Sequence, residues 1–239
     1  MNLCFVVPCF NEEKRLLVES FYQFVNEYPH VSLLFVDDGS SDQTLKVIKK
    51  LSERSPQISF LHLESNVGKA EAIRLGFLTI DIADFSFIGY WDADLATPLC
   101  EIELFMEMAQ TQKYDVIMGS RILRLGSHIK RKWQRHILGR LFATTASLLL
   151  KLPVYDTQCG AKLFTTKIVK DIFQTSFMSK WLFDVEILFR YKKLPIFHNN
   201  RIIEIPLRYW QDEQGSKLKK IDFIIAPWEL LKMCVKYGS

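Results

Sequence analysis

The sequence predicts an α/β fold, a mostly parallel central sheet flanked by helices. Three observations lead there. Over the first 120 residues, short apolar runs rich in Val, Ile, Leu and Phe alternate with longer helical patterns. The runs lack polar alternation, as strands covered on both faces do. Polar loops bearing carboxylate, amide or basic groups follow four of them, at the strand ends where open α/β sheets collect ligands.

The first strand spans residues 3–7, and a helical pattern follows over 13–28. The second strand, 32–36, leads into a helix over 43–54, for which Ser41 and Asp42 offer N-caps. A third strand over 58–63 precedes a helix over 69–82. The fourth, 86–90, ends at Trp91, and Thr97-Pro98 opens a helix over 99–111. A fifth strand covers 116–118, and there the alternation stops. Beyond it lie a long helix over 129–152 closed by Pro153 and an irregular segment over 155–164. A helix around 181–191, a strand over 202–207 and a final apolar helix from 221 to about 236 complete the chain.

A length of 239 residues, 49% hydrophobic and 24% charged, is ample for one core, so a single domain over 1–239 is expected. The net charge of +4 is modest but unevenly spread. No acidic residue falls between Val116 and Tyr155, where Arg121, Arg124, Lys130, Arg131, Lys132, Arg135, Arg140 and Lys151 all lie. Such a face seeks the phosphates of nucleotides, nucleic acid or lipid head groups. The five cysteines are odd in number, widely spaced and without a C-x-x-C pair, which reads as reduced thiols in a cytosolic setting. No secretory signal and no run of eighteen apolar residues is present. Any membrane contact is therefore expected to be peripheral, from the cytoplasmic side.

Trp91-Asp92-Ala93-Asp94 is the most informative stretch. Two carboxylates one residue apart at a strand end supply hard oxygen ligands suited to Mg²⁺ or Mn²⁺, ions that bridge a diphosphate. The other strand-end loops are Pro8-Cys9-Phe10-Asn11-Glu12-Glu13, Asp37-Asp38-Gly39-Ser40-Ser41-Asp42 and Asn66-Val67-Gly68-Lys69. Any one of these would pass for a turn. Four together mark a site.

Those four segments resemble, in order, the signatures of family 2 glycosyltransferases, whose fold is the nucleotide-sugar-binding architecture called GT-A. Asp156-Thr157-Gln158-Cys159-Gly160-Ala161-Lys162-Leu163-Phe164 and Trp181-Leu182-Phe183-Asp184-Val185-Glu186 are similar to the subset making dolichyl- or polyprenyl-phosphate sugars. Within it the dolichyl-phosphate β-glucosyltransferases are most alike, a likeness extended by Glu204-Ile205-Pro206-Leu207-Arg208 and Gly215-Ser216-Lys217. The resemblance implies a nucleotide-sugar-binding half over 1–122 and an acceptor and membrane-interface half over 123–239. It implies that Pro8, Phe10, Glu12, Val36 and Asp38 line the nucleoside pocket, Asp38 accepting from the base, and that Lys69 and Ala93 belong to the same donor site. Asp92 would face the ribose or metal, Asp94 would bind the cation and take part in catalysis, and Arg121 and Lys217 would hold phosphates. Arg131 would join Arg121 at the acceptor phosphate. Mannose-transferring relatives carry a glutamine where this chain has Ala96, which favours a UDP-sugar. The implied activity is inverting transfer of a hexose, glucose from UDP-glucose in the first place, to a dolichyl or polyprenyl phosphate. GDP-mannose or another UDP-sugar as donor, a glycan hydroxyl as acceptor, and a nucleotide-sugar-binding module without turnover are the alternatives.

A cation held by Asp94 would stabilise charge on the departing diphosphate. A phosphomonoester nucleophile needs no base, since its second pKa is about 6. A sugar hydroxyl would need one. Asp156, Asp184 and Glu186 are the candidates, and Asp156, in the irregular segment, is favoured as acceptor-positioning or base-like.

Between 129 and 152, apolar residues at Ile129, Trp133, Ile137, Leu141, Phe142, Leu148, Leu149 and Leu152 give one helical stripe, with Lys130, Arg131, Arg135 and Arg140 largely off it. That pattern fits a helix lying in an anionic membrane interface. A core helix with a solvated basic side is the alternative. Phe223, Ile224, Ile225, Trp228, Leu230 and Leu231 beside Lys219, Lys220, Lys232 and Lys236 repeat the theme. No nucleic-acid-binding module accompanies the basic cluster, so nucleic acid is not expected as a partner.

Overall fold

The computed structural model describes residues 1–130, 133–211 and 220–238. Strands β1 (Leu3–Cys9), β2 (Val31–Asp38), β3 (Ile58–Leu63), β4 (Phe87–Trp91) and β5 (Val116–Ser120) alternate with helices α1 (Val18–Glu27), α2 (Thr44–Ser52), α3 (Lys69–Thr79) and α4 (Ile102–Gln110). Then follow β6 (His128–Lys130), α5 (Trp133–Leu150), β7 (Ala161–Thr165), α6 (Thr166–Phe173), α7 (Phe183–Lys192), β8 (Ile202–Pro206), β9 (Tyr209–Gln211) and α8 (Lys220–Tyr237). Seven strands form one sheet in the order β3-β2-β1-β4-β7-β5-β8, while β6 and β9 pair separately. Within the large sheet every pairing is parallel except those of β7, which runs antiparallel to both β4 and β5.

Period-two alternation explains why the early strands read as unbroken apolar runs. On β1, Cys4 and Val6 enter a cluster with Ile73 and Phe77 of α3 and with residues of α6, α7 and α8. Leu3, Phe5 and Val7 enter the opposite one, with Phe21 of α1, Ile48 of α2 and Phe105 of α4. Each such side chain contributes roughly 1.5–3 kcal/mol on burial. The register aligns Cys9 with Asp37, so β1 and β2 end together and their loops open on the same rim.

Several expectations are corrected. The end of the segment expected to be irregular over 155–164 instead belongs to strand β7, which lies inside the sheet between β4 and β5. Lys162 in that run reads as a loop residue, yet its ammonium is satisfied inside the protein. The helix expected over 129–152 loses its first residues to β6, which pairs with β9. Helix α6 was not expected at all. Helix α1 begins at Val18 rather than at 13, because Arg15 and Leu16 donate their amides back to the Glu12 carbonyl in a turn. Strand β3 lies at the sheet edge, with Phe60 39% exposed, and is not covered on both faces.

The single apolar stripe on the long helix also breaks up. Leu148 is 72% exposed, whereas Ala143, Ala146, Leu150 and Leu152 are buried. On α8 the inward residues are Ala226, Leu230 and Met233, and Ile225, Trp228, Leu231 and Val235 face outward. Among the described residues no helix is long and apolar enough to cross a membrane. All five cysteines are free, and burial pushes the Cys4 and Cys159 thiols up to about 12.

Candidate active site

The loops after β1 and β2 are fastened to one another. The Asn11 amide donates to Ser40 Oγ at 3.0 Å, and Asn11 Oδ1 accepts from the Ser41 amide at 2.9 Å. The Glu12 amide donates to Thr44 Oγ1 at 2.7 Å. Asn11 itself sits at φ 54°, a left-handed conformation that asparagine tolerates better than most residues. Pro8 and Phe10 are half-buried at this rim, and Val36 is buried beneath it.

The paired aspartates after β2 have separate duties. Asp37, fully buried, accepts from His62 Nδ1 at 2.7 Å and from the Ser40 amide. Asp38 accepts from the Val67 amide at 2.7 Å through Oδ1 and from the Gly68 amide at 3.0 Å through Oδ2. The carboxylate expected to meet the base thus already closes the loop after β3 onto β2.

At the end of β4, Lys69 Nζ lies 2.5 Å from Asp92 Oδ1. Desolvation in the cleft works against that ammonium, but the carboxylates of Asp92, Asp184 and Asp94 outweigh it and raise its pKa. Asp94 Oδ1 accepts only the Ala96 amide, at 3.1 Å, among its described hydrogen bonds. Burial, then the nearby Asp92 charge, raise the Asp94 carboxyl above its ordinary value. Two carboxylates that repel each other in a partly dry cleft favour a cation between them. Ala93 and Ala96 are buried in the core below. Among the described residues no group of three or more His, Cys, Asp or Glu side chains is placed to hold a metal. Gly160 closes over the carboxylate: a β-carbon there would overlap Asp92 Oδ2.

The far wall is built on ion pairs. Arg121, just past β5, donates from Nε to Asp156 Oδ2 at 2.6 Å and from Nη2 to Oδ1 at 2.7 Å. Its guanidinium lies 5.3 Å from the centre of the Trp210 ring. Asp156 is set in turn by Glu204 of β8, whose two oxygens accept the Tyr155 and Asp156 amides at 2.6 and 2.7 Å. Burial raises the Glu204 carboxyl despite those two donors.

Lys162, fully buried on β7, donates to the Thr157 and Cys159 carbonyls at 2.8 and 2.7 Å and to Asp184 Oδ1 at 2.5 Å. Tyr90 donates its hydroxyl to the same Asp184 oxygen. Glu186, two residues further along α7, pairs with Arg190 at 2.8 Å and accepts from the Met178 amide and the Tyr237 hydroxyl. The fold therefore brings Asp38, Lys69, Asp92, Asp94, Arg121, Asp156 and Asp184 to one rim of the sheet. Arg131 and Lys217 lie outside the described residues. Sequence reasoning assigned no part to Gly160, Lys162 or Glu204. A lysine inside the apolar run Ala161-Lys162-Leu163-Phe164 was the available signal.

A parallel sheet with one reversed strand, whose rim joins a twin carboxylate to several cations, is the architecture of a GT-A glycosyltransferase. The chain belongs to glycosyl transferase family 2, whose family model matches residues 4–173. It is 33% identical over 231 residues to a dolichyl-phosphate beta-glucosyltransferase of Dictyostelium discoideum, covering 90% of this chain and 68% of that protein. The human enzyme of the same name is 32% identical over 250 residues, covering 97% and 72%. Among solved structures, glucosyl-3-phosphoglycerate synthase from Mycobacterium tuberculosis with UDP superposes with a TM-score of 0.70 at 15% identity, covering 98% of this chain and 80% of that one. The Staphylococcus aureus TarS fragment with UDP-GlcNAc gives 0.62 at 17% identity, covering 100% and 68%. The mycobacterial enzyme has also been solved with Mn²⁺, UDP and its glucosylated product.

Proposed function

We propose that this chain transfers glucose from UDP-glucose, with inversion, to a dolichyl or polyprenyl phosphate at the cytoplasmic face of a membrane. One observation carries the acceptor class. Every carboxylate considered as a base for a hydroxyl acceptor is already paired with a cation: Asp156 with Arg121, Asp184 with Lys162, Glu186 with Arg190. With those three carboxylates engaged, the site suits a nucleophile that arrives as an anion, as a phosphomonoester does. The names of the relatives point to the same acceptor and to a glucosyl donor.

Asp92 and Asp94 suit a hard divalent cation, Mg²⁺ or Mn²⁺, with the Lys69 ammonium lying where positive charge is needed. Such an ion, when bound, would offset charge on the diphosphate. Ala96 supplies no third ligand, so the remaining coordination would fall to phosphate oxygens and water. Pro8, Phe10, Glu12, Val36 and Asp38 would receive the nucleoside. Lys69 would turn from Asp92 towards a phosphate, and Lys217 would add charge there. Asp156 would position rather than deprotonate: it fixes the Arg121 fork, which together with Arg131 would steer the acceptor phosphate towards C1 of the sugar. Gly160 would keep the Asp92 carboxylate against the loop that carries Asp156.

Membrane contact would come from the outward face of α8, where Trp228 is 68% and Val235 81% exposed. The test is mass spectrometry of the product formed from mixed UDP- and GDP-sugars with dolichyl phosphate. Dolichyl phosphoglucose as the main product is the expected result, and a GDP-dependent mannolipid would overturn the donor assignment.

A further inference from the structure

We infer that the Lys180 ammonium binds a substrate phosphate at this rim, a reading that rests on the chain being a nucleotide-sugar transferase. The cations described there are otherwise committed. Lys69 faces Asp92, Arg121 is held by Asp156, and Lys162 is sealed against Asp184. Lys180 forms no ion pair among the described residues and is exposed. Unlike those three, it has no counter-ion among the described residues.

Its position is built. Ser179, buried, donates its hydroxyl to Glu229 of α8 at 2.6 Å and accepts the Trp181 and Leu182 amides at 3.2 and 2.8 Å. Trp181 packs its ring on Phe142 of α5, with centroids 5.7 Å apart. The residues on either side of Lys180 are therefore held in place, while its own side chain is exposed.

Its direction is set by Gly68. That residue sits at φ 96°, a conformation that favours glycine, and carries no side chain to fill the space above it. Lys180 fills it: Cδ lies 3.6 Å from where a Gly68 β-carbon would stand. The Lys180 stem thus passes beside the turn that opens α3 and holds Lys69, and the ammonium follows one methylene beyond Cδ. The Val67 and Gly68 amides of that turn are taken by Asp38. An anion arriving there meets a lysine rather than open amides. The chemistry recognised is a phosphate, from the nucleotide diphosphate or from the acceptor phosphomonoester.

The experiment uses Lys180→Ala and Lys180→Arg in the full chain. Calorimetry with UDP and with UMP in the presence of Mn²⁺ reads the donor side, and the KM for dolichyl phosphate reads the acceptor side. Loss of one charge-assisted hydrogen bond should weaken one arm by about tenfold in Lys180→Ala. A weaker UDP with unchanged UMP places the contact on the second donor phosphate, and a raised acceptor KM with unchanged UDP places it on the lipid phosphate. Lys180→Arg should stay within about twofold of the parent on either arm. Three results would overturn the inference: both arms unchanged in Lys180→Ala, Arg as impaired as Ala, or a uniform loss that includes UMP and a lowered melting temperature. If the parent enzyme ignores dolichyl phosphate, the acceptor reading fails while the UDP arm still decides Lys180.

Discussion

The Lys69 ammonium lies 2.5 Å from Oδ1 of Asp92, so the first carboxylate of the Asp-Ala-Asp turn carries its own counter-ion. A divalent cation taken up by Asp92 and Asp94 would have to compete with that ammonium. Lys69→Met should therefore tighten Mn²⁺ binding in the absence of nucleotide by about tenfold, the worth of roughly one moderately screened charge contact. Transfer should fall at the same time, because the charge is then missing from the diphosphate. Electron paramagnetic resonance of free Mn²⁺ during titration measures the first effect. An unchanged or weaker affinity would count against the competition.

Gly160 lets the Asp92 carboxylate lie where a β-carbon would otherwise be. Gly160→Ala should displace Asp92 by a fraction of an ångström or more. The expected cost is on the order of a hundredfold in kcat/KM, the scale of a small misplacement at a reacting centre. Steady-state kinetics alongside a melting curve checks this, since a large drop in melting temperature would mark a folding defect instead.

Lys162 and Asp184 form a fully internal pair on which Tyr90 also converges. Lys162→Met strands the Asp184 charge and should destabilise the protein by about 3–5 kcal/mol. Adding Asp184→Asn should return a large part of that loss. Urea unfolding of Lys162→Met, Asp184→Asn and the double variant measures this, and additivity of the two single changes would contradict the coupling.

Just before β5, at the strand end away from the rim, Asp115 accepts from Arg201 at 2.5 and 2.6 Å and from the Tyr191 hydroxyl at 2.8 Å. Burial alone would raise its carboxyl, but the Arg201 and Tyr191 donors outweigh that and hold it below the ordinary value. A carboxyl lowered by folding contributes stability above its unfolded pKa and loses it as pH falls through the folded one. Asp115→Asn should therefore flatten the acid limb of the stability profile below the ordinary carboxylate range. A limb of unchanged slope would show that other carboxylates govern it.

The first 120 residues were legible because every strand there except the edge strand β3 is largely buried and the polar loops that follow the strands open on one rim. Asp92, Asp94 and Asp38 could be placed at that rim from their position after apolar runs alone. The later half hid its logic in long-range pairs. Strand β7 contains Lys162, whose partners Asp184 and the Thr157 carbonyl are named by no local pattern. Glu204 sits one strand away from the Tyr155 and Asp156 amides it holds, separated by 48 residues and more. The choice of Asp156 as a base-like group rested on its loop position, and no spacing rule shows that Arg121 would take both of its oxygens.

Pairing of Asp156, Asp184 and Glu186 with cations is the feature on which the acceptor assignment turns. The most direct measurement is transfer of labelled glucose from UDP-glucose to dolichyl phosphate and to dolichol, its uncharged counterpart, at matched concentrations. The expected result is glucosylation of the phosphate alone, with a rate that rises as the phosphate ionises around its pKa of about 6. Glucosylation of dolichol or of an oligosaccharide at a comparable rate would contradict it, since a hydroxyl would then have found a base among side chains assigned to ion pairs.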